Sequence, residues 1–213
     1  MKCDKKSMLL YAVTDRKWTG KQTLYEQVED ALRGGVTCVQ LREKKLSDED
    51  FLKEAIEIKE LCHRYNVPFF INDNVDVAIK CASDGIHVGQ EDMEAGKVRS
   101  LVGENMIIGV SVHSVEEAIE AVKNGADCLG VGAMFSTSTK LDAGVLSMQT
   151  LYDICHSVDI PVVAIGGLNK NNIAELAGTG VDGIALVSAI FATENIEKEC
   201  RELYQISEEM VRA

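Results

Sequence analysis

Eight short apolar segments with β-strand character alternate with longer segments of helical period, and this alternation predicts an α/β fold with a parallel sheet. Closing eight such βα units into a single (β/α)8 TIM barrel leaves no strand edge exposed, which favours a barrel over an open sheet. The length of 213 residues fits one TIM-barrel domain, expected to span residues 1–213. The predicted strands are Leu9–Val13, Thr37–Leu41, Phe69–Asn72, Gly85–Val88, Ile107–Val110, Cys128–Val131, Val162–Ile165 and Gly183–Leu186.

A weak internal repeat also supports the barrel. Asp84, Asp127 and Asp182 each lead from a helix end into an apolar strand, about two βα units apart. Because they precede their strands, these aspartates belong at the end of the barrel opposite the usual active site, and we interpret them as turn and cap residues. The predicted helices between the strands include Thr23–Arg33, Asp48–Tyr65, Val115–Lys123 and Asn171–Ala177.

The charge of the chain excludes some partners. A formal charge of −12 argues against nucleic-acid binding, because a phosphate backbone favours a basic surface. No segment approaches the roughly 20 apolar residues of a membrane span, and the apolar run Met8–Val13 is too short for a signal peptide. We therefore expect a cytoplasmic protein that acts on small molecules. A homo-oligomer is compatible with the sequence, which leaves the oligomeric state open.

The seven cysteines are scattered, and no two of them form a CxxC pair. This pattern indicates neither a disulfide framework nor a zinc site. Cys38 and Cys128 fall within predicted strands, so we expect them to be small core residues.

Polar residues at the carboxyl end of the second strand suit an anionic ligand. Gln40, Arg42 and Lys44 are each two residues apart, so their side chains share one face if the strand continues through them. Two cations on one face would bind a phosphate or diphosphate. The alternative is a solvated pair of charges at the strand end.

Two later segments add further anion-binding chemistry. The loop after the sixth strand combines hydroxyls and a cation in Thr137, Thr139 and Lys140, although a plain Ser/Thr-rich surface loop has the same composition. The seventh strand ends in Gly166-Gly167 and the eighth in Val187-Ser188, before a predicted short helix. Loops after the last two strands form the usual phosphate site of this fold.

The third and fourth strands are followed by carboxylates. Asp73 ends the third strand and Asp92 follows the fourth, so the two come from neighbouring loops at one rim and can converge on a cation. Mg²⁺ prefers one or two carboxylates together with phosphate oxygens and water. The alternative is that both residues cap the helices that follow them.

The order of several short motifs resembles that of the thiamine phosphate synthase family, from about Leu9 to Phe191. The motifs are Tyr11-Ala12-Val13-Thr14-Asp15, Val39-Gln40-Leu41-Arg42-Glu43-Lys44, Ile71-Asn72-Asp73, Gly85-Ile86-His87-Val88-Gly89-Gln90-Glu91-Asp92, Gly109-Val110-Ser111, Thr137-Ser138-Thr139-Lys140, Ala164-Ile165-Gly166-Gly167 and Val187-Ser188. The segment with His87, Gln90 and Asp92 and the hydroxyl-lysine loop are the most specific of these.

The resemblance implies a transferase that joins a hydroxymethylpyrimidine diphosphate to a hydroxyethylthiazole phosphate, with release of diphosphate and a requirement for Mg²⁺. It implies that Asp73 and Asp92 hold the metal. The diphosphate would be bound by Gln40, Arg42, Lys44, Asn72 and, from a lid, Lys140. The catalytic group would be Arg42, Lys44, Ser111 and Lys140.

The same resemblance implies where the two rings bind. Ser111 would lie beside the pyrimidine, in a pocket lined by His87. The thiazole phosphate would be bound by Thr137, Thr139, Gly167, Val187 and Ser188.

Two other functions fit parts of the sequence. A thiazole tautomerase resembles this synthase, and in it His113 would be the acid or base that moves a proton. That function leaves the cations and carboxylates of the rim without a role. A non-catalytic protein that binds thiamine intermediates is the second alternative, and the intact set of charged residues counts against it.

Overall fold

The computed structural model describes residues 3–136 and 144–213, and within them eight parallel strands close into a barrel in chain order. Pairing of Leu10 with Ile184 closes the barrel between the first and last strands. The predicted TIM barrel is therefore confirmed, with strand ends within two residues of those expected. The strands are β1 (Leu10–Val13), β2 (Cys38–Leu41), β3 (Phe69–Asn72), β4 (Gly85–Val88), β5 (Ile107–Val112), β6 (Cys128–Val131), β7 (Val162–Ile165) and β8 (Gly183–Leu186).

The helices surround the barrel, and several begin at a side-chain cap. The hydroxyls of Thr23, Ser47, Ser114 and Ser147 accept a hydrogen bond from the backbone N–H three residues on, which fixes the start of four helices. Within the described ranges, no helix is both long and apolar enough to cross a membrane. The α-helices are α1 (Leu24–Arg33), α2 (Asp48–Arg64), α3 (Val75–Cys81), α4 (Ala95–Val102), α5 (Val115–Lys123), α6 (Met148–Ser157), α7 (Ser188–Phe191) and α8 (Ile196–Arg212).

The predicted helix Asn171–Ala177 is wrong, because this segment forms only the 3-10 helix Ile173–Leu176. The Asn169 side chain accepts the backbone N–H of Asn171, and Asn172 accepts that of Asn169, so local side-chain bonds compete with helix formation. Gly178 follows the turn with a φ of 76°, which prevents extension of a helix. Two further 3-10 helices span Lys5–Met8 and Arg16–Trp18.

A second hydrophobic cluster fills the inside of the barrel, separate from the layer between strands and helices. The Phe70 ring is fully buried and occupies space that Gly85 leaves open, since a Cβ there would lie 2.5 Å from it. Cys38 and Cys128 are buried in this cluster, as predicted. Its buried members are Met8, Tyr11, Val13, Cys38, Phe70, Ile107, Cys128, Val163 and Ala185.

Three strand-start aspartates, Asp84, Asp127 and Asp182, hold the amino-terminal end of the barrel together. Each carboxylate accepts a hydrogen bond from a backbone N–H at the beginning of the preceding strand, at 2.8, 2.9 and 2.9 Å in that order. Each carboxylate also binds a basic side chain. Their predicted place at the end opposite the carboxyl-terminal rim is therefore confirmed, but they cap none of the described helices and instead join strands in pairs.

Candidate active site

A cavity lies at the carboxyl-terminal ends of the strands, where the sequence predicts the site. It brings together eight of the predicted site residues, whereas Lys44, Asp73 and Asp92 lie outside its lining. Thr137, Thr139 and Lys140 lie outside the described residues. The eight predicted residues in the lining are Gln40, Arg42, Asn72, His87, Ser111, Gly167, Val187 and Ser188.

Tyr11 lies in the cavity lining beneath Gln40. Gln40 is 5% exposed, and its Nε2 donates to the Tyr11 hydroxyl at 2.9 Å. Burial raises the pKa of Tyr11 well above its usual value, so the phenol is neutral and fixes one rotamer of the Gln40 amide. The sequence analysis missed this residue. Alternation along β1 places Tyr11 and Val13 on the inner face, and that signal could have found it.

Arg42 enters the cavity from just beyond β2. The strand ends at Leu41, so the expected continuation of β2 through Arg42 and Lys44 does not occur. The buried Thr14 hydroxyl instead accepts the Arg42 backbone N–H at 2.9 Å. Arg42 Nη1 lies 4.0 Å from Asp15 Oδ2, a weak ion pair that leaves the guanidinium available to an anion.

Lys44 forms an ion pair with Asp73 at the edge of the cavity. The intervening Glu43 is directed to Arg16, away from Arg42, so the alternation of side chains persists beyond the strand. The two predicted cations thus do reach the same rim, although only Arg42 lines the cavity.

His87 and Ser111 form one wall of the cavity. His87 Nε2 and Ser111 Oγ are 2.9 Å apart, and Gln90 donates to the Ser111 carbonyl at 2.7 Å. A Cβ on Gly109 would lie 2.5 Å from the His87 ring, and one on Gly130 would lie 3.1 Å from it. These two glycines therefore make room for the imidazole inside the barrel. Ser111 lies within β5, because this strand extends two residues further than predicted.

The carboxyls of Asp73 and Asp92 face one another at the rim. Burial raises the pKa of Asp92, an N–H bond from Gly89 at 2.8 Å opposes that rise, and the nearby Asp73 carboxyl adds to it. Lys44 binds Asp73 from the other side. Two carboxyls converge here from neighbouring loops, as the sequence predicts.

The alternative in which these two aspartates cap helices is wrong. Asn74 caps α3, since its Oδ1 accepts the Val77 N–H at 2.9 Å. Glu94 occupies the capping position of α4 and forms no side-chain cap bond. Asp73 lies just before Asn74, in the left-handed region with a φ of 62°.

The donor set at the rim fits Mg²⁺. Mg²⁺ is commonly held by one or two carboxylates, with water and substrate phosphate completing its shell. Across residues 3–136 and 144–213, no group of three or more His, Cys, Asp or Glu side chains could hold a metal. Asp73 and Asp92 therefore match a cation that the substrate helps to bind, and they lack the nitrogen or sulfur ligands of a zinc site.

The Gly166-Gly167 turn forms another part of the rim. Both glycines have positive φ values, 95° and 69°. A Cβ on Gly167 would lie 2.6 Å from the Phe135 carbonyl oxygen, so the turn can approach this segment only with glycine. The Phe135 N–H donates to the Gly166 carbonyl at 3.0 Å, and Leu146 donates to Ala133 at 2.8 Å. Phe135, before residues 137–143, is thus anchored at this turn, whereas Leu146, after them, is anchored to Ala133.

Two asparagines that the sequence analysis missed hold the turn in place. Asn172 and Asn169 donate their side-chain amides to the Gly167 carbonyl at 3.0 and 3.3 Å. After the neighbouring strand β8, α7 begins at Ser188, directly after Val187. A run of asparagines just after a Gly-Gly turn was the available signal.

His113 also lines the cavity. Its Nδ1 lies 3.1 Å from Glu117 Oε2 on the exposed side of the rim.

Comparison with known proteins connects this geometry to one family. A family model described as thiamine monophosphate synthase matches residues 10–190. The thiamine-phosphate synthase of Clostridium acetobutylicum is 48% identical over 197 residues, which cover 92% of this chain and 93% of the relative. That of Ruminiclostridium cellulolyticum is 51% identical over 197 residues, covering 92% and 94%. The solved thiamine phosphate pyrophosphorylase of Pyrococcus furiosus is 42% identical with a TM-score of 0.90, covering 97% of this chain and 98% of that one.

Proposed function

The chain belongs to the thiamine monophosphate synthase family, and we propose that it joins hydroxymethylpyrimidine diphosphate to hydroxyethylthiazole phosphate, giving thiamine phosphate and diphosphate. The observation that carries this proposal is one cavity with cationic side chains on one part of its rim and a Gly-Gly turn on another part. Arg42 enters it beside the Lys44–Asp73 pair, and the Gly166-Gly167 turn lies elsewhere on the same rim. Two phosphorylated substrates can therefore share the cavity.

The reaction needs stabilisation of a leaving group. The bond between the pyrimidine methylene carbon and the diphosphate oxygen breaks, and its electron pair leaves with the diphosphate. The thiazole nitrogen then donates its lone pair to that carbon and forms the new bond. Arg42, Lys44 and Lys140 would stabilise the negative charge as it develops. Mg²⁺, held by Asp73 and Asp92, would neutralise further charge on the diphosphate.

The remaining residues would position the two rings. Ser111 and His87 would bind the pyrimidine, with Gln40 and Asn72 toward its diphosphate. Thr137, Thr139, Gly167, Val187 and Ser188 would bind the thiazole phosphate, so that its nitrogen faces the methylene carbon.

No protein nucleophile is required, because the thiazole nitrogen attacks directly. Cys128 is the thiol in the cavity lining. A hydrogen bond with Cys3 and burial raise the pKa of Cys128 well above its usual value, so it is a neutral thiol and a poor nucleophile at neutral pH. A neutral Cys128 is thus consistent with a reaction in which the protein stabilises charge and supplies no nucleophile.

The tautomerase alternative would use His113, which does line the cavity. It leaves Arg42, Lys44 and the paired aspartates without a role. The relatives compared above are named synthases, and this chain matches nearly their full length.

The direct test is incubation of the protein with both substrates and Mg²⁺, followed by oxidation of thiamine phosphate to a fluorescent thiochrome. We expect product only when both substrates and Mg²⁺ are present, with one diphosphate released for each product formed. Binding of both substrates without product would instead support a binding protein. Conversion of a thiazole phosphate isomer without use of the pyrimidine would support the tautomerase.

A further inference from the structure

Glu43 has a nearly fully buried carboxylate, although it lies between Arg42 and Lys44 at the rim. Its side chain is only 3% exposed. Arg16 Nη2 and Nε approach the same Glu43 oxygen at 2.8 and 3.1 Å. A buried carboxylate without a partner is strongly unfavourable, so the Arg16 guanidinium allows Glu43 to be buried.

The same guanidinium also binds a second carboxylate. Arg16 Nη2 lies 2.7 Å from Glu54 Oε2 on α2. Burial raises the pKa of Glu54, Arg16 opposes that rise, and repulsion from Glu43 adds to it. Removal of Arg16 would leave Glu43 and Glu54 close together without the cation that they share.

This cluster joins three parts of the chain behind the diphosphate side of the rim. Arg16 begins the 3-10 helix after β1, Glu43 lies after β2, and Glu54 lies on α2. The β2–β3 ladder ends at Leu41, so residues 42–44 must be placed by other contacts. Successive side chains of an extended chain alternate in direction, and fixing Glu43 outward directs Arg42 and Lys44 toward the rim.

We propose that Arg16 is a positioning residue for the diphosphate of the pyrimidine substrate, an inference that rests on the proposed function. Arg16 lies outside the cavity lining and acts through Glu43, which holds Arg42 and Lys44 in their binding geometry. An exposed ion pair ordinarily contributes little, but here one partner is buried and its neighbours in sequence bind the substrate. The effect is therefore on binding of one substrate in particular.

The test is steady-state kinetics of Arg16→Gln, Arg16→Lys, Glu43→Gln and the double variant Arg16→Gln/Glu43→Gln. We expect Arg16→Gln to raise the KM of the pyrimidine diphosphate about tenfold, with the KM of the thiazole phosphate within about twofold of the wild type. Arg16→Lys should recover part of this loss. Because both residues act in one unit, the KM of the pyrimidine diphosphate in the double variant should be no higher than in the more impaired single variant.

The matched control is Arg99→Gln, which removes the same type of group at the other end of the barrel. Arg99 binds Asp127 and three backbone carbonyls there, so its loss should lower stability and leave both KM values unchanged. A purely structural role of Arg16 would give the same pattern as Arg99→Gln, and that result would overturn the proposal. Equal rises in the two KM values for Arg16→Gln would also overturn it.

Calorimetry with inorganic diphosphate and Mg²⁺ separates this inference from the proposed function. Arg16→Gln should weaken diphosphate binding about tenfold, whether or not product is formed. A wild-type protein that binds diphosphate but makes no thiamine phosphate would contradict the proposed function alone. Unchanged diphosphate affinity in Arg16→Gln would contradict the inference alone.

Discussion

The two ends of the barrel carry the same types of charged side chain in opposite arrangements. At the amino-terminal end, each strand-start aspartate binds both a backbone N–H and a basic side chain. At the carboxyl-terminal end, Asp73 and Asp92 face one another with Lys44 bound to Asp73, and Arg42 lies 4.0 Å from the Asp15 carboxylate. Aspartates therefore join neighbouring strands at one end, whereas at the other end two carboxyls face each other beside one lysine.

The difference shows that the partners of a charge decide its role. A carboxylate that accepts a backbone N–H and an ion pair stabilises the fold, and a ligand would have to break those bonds. The Asp92 carboxyl, by contrast, has a pKa raised by burial and by the nearby Asp73, and its ionised form is stabilised when a cation arrives. Substitutions at the two ends should therefore separate activity from stability.

The largest expected effect is on activity, at the carboxyl-terminal end. Asp92→Asn keeps the size of the side chain but removes a charge that would hold Mg²⁺. We expect kcat/KM at low Mg²⁺ to fall about 100-fold, with part of the activity recovered at high Mg²⁺. The melting temperature should stay within about 1 °C of that of the wild type, because Asp92 caps no helix and an asparagine oxygen can still accept the Gly89 N–H. Full activity at low Mg²⁺ would place the metal site elsewhere.

The second effect is on stability, at the amino-terminal end. Asp127→Ala removes the acceptor of the Ile108 N–H and the partner of Arg99. We expect the free energy of unfolding to fall by about 2 kcal/mol in urea denaturation, with kcat/KM unchanged at temperatures where the variant is folded. Asp159→Ala, at an exposed loop position before β7, is the matched control and should change little. A comparable loss of activity in Asp127→Ala would show that the two ends are not independent.

Much of this division could be predicted from the sequence. Strand periodicity determines the barrel, and the position of a polar residue before or after its strand determines the end at which it lies. This is why the strand-start aspartates and Asp73 could be assigned to opposite ends from the sequence alone. Eight predicted residues line the cavity for the same reason.

Other features depend on contacts between residues far apart in the chain. The Tyr11–Gln40 bond spans 29 residues, and the Arg16–Glu54 pair spans 38. Short-range patterns carry no information about such pairs, so neither bond was predicted, although alternation along β1 would have placed Tyr11 on the inner face. The helix predicted at Asn171–Ala177 failed for a different reason, because apolar spacing does not reveal asparagine side chains that bind the local backbone.

A smaller effect on one substrate tests the second part of the active rim. Ser188 begins α7 in the cavity lining, and an aspartate there would place negative charge where the thiazole phosphate is proposed to bind. We expect Ser188→Asp to raise the KM of the thiazole phosphate about tenfold and to change that of the pyrimidine diphosphate less. Ser188→Ala, which adds no charge, is the control. Equal rises in both KM values for Ser188→Asp would show that the rim is not divided between the two substrates.

The smallest expected effect tests whether Glu54, behind the cavity, is also a carboxylate whose ionised form is unfavourable in the fold. Burial raises the pKa of Glu54, so the folded protein holds this proton more tightly than the unfolded chain does. Between the usual glutamate pKa and the raised value, the unfolded chain therefore binds fewer protons than the folded protein does. The free energy of unfolding falls as pH rises through that interval. Glu54→Gln abolishes this titration, so the stability of the variant relative to wild type should increase with pH, by about a few tenths of a kcal/mol.

Glu26→Gln is a control of opposite sign, because hydrogen bonds from Thr23 lower the pKa of Glu26 and its ionised form stabilises the fold. Urea denaturation at several pH values measures both differences, and parallel slopes for the two variants would contradict the assignment of Glu54 to the unfavourable charges of the active end.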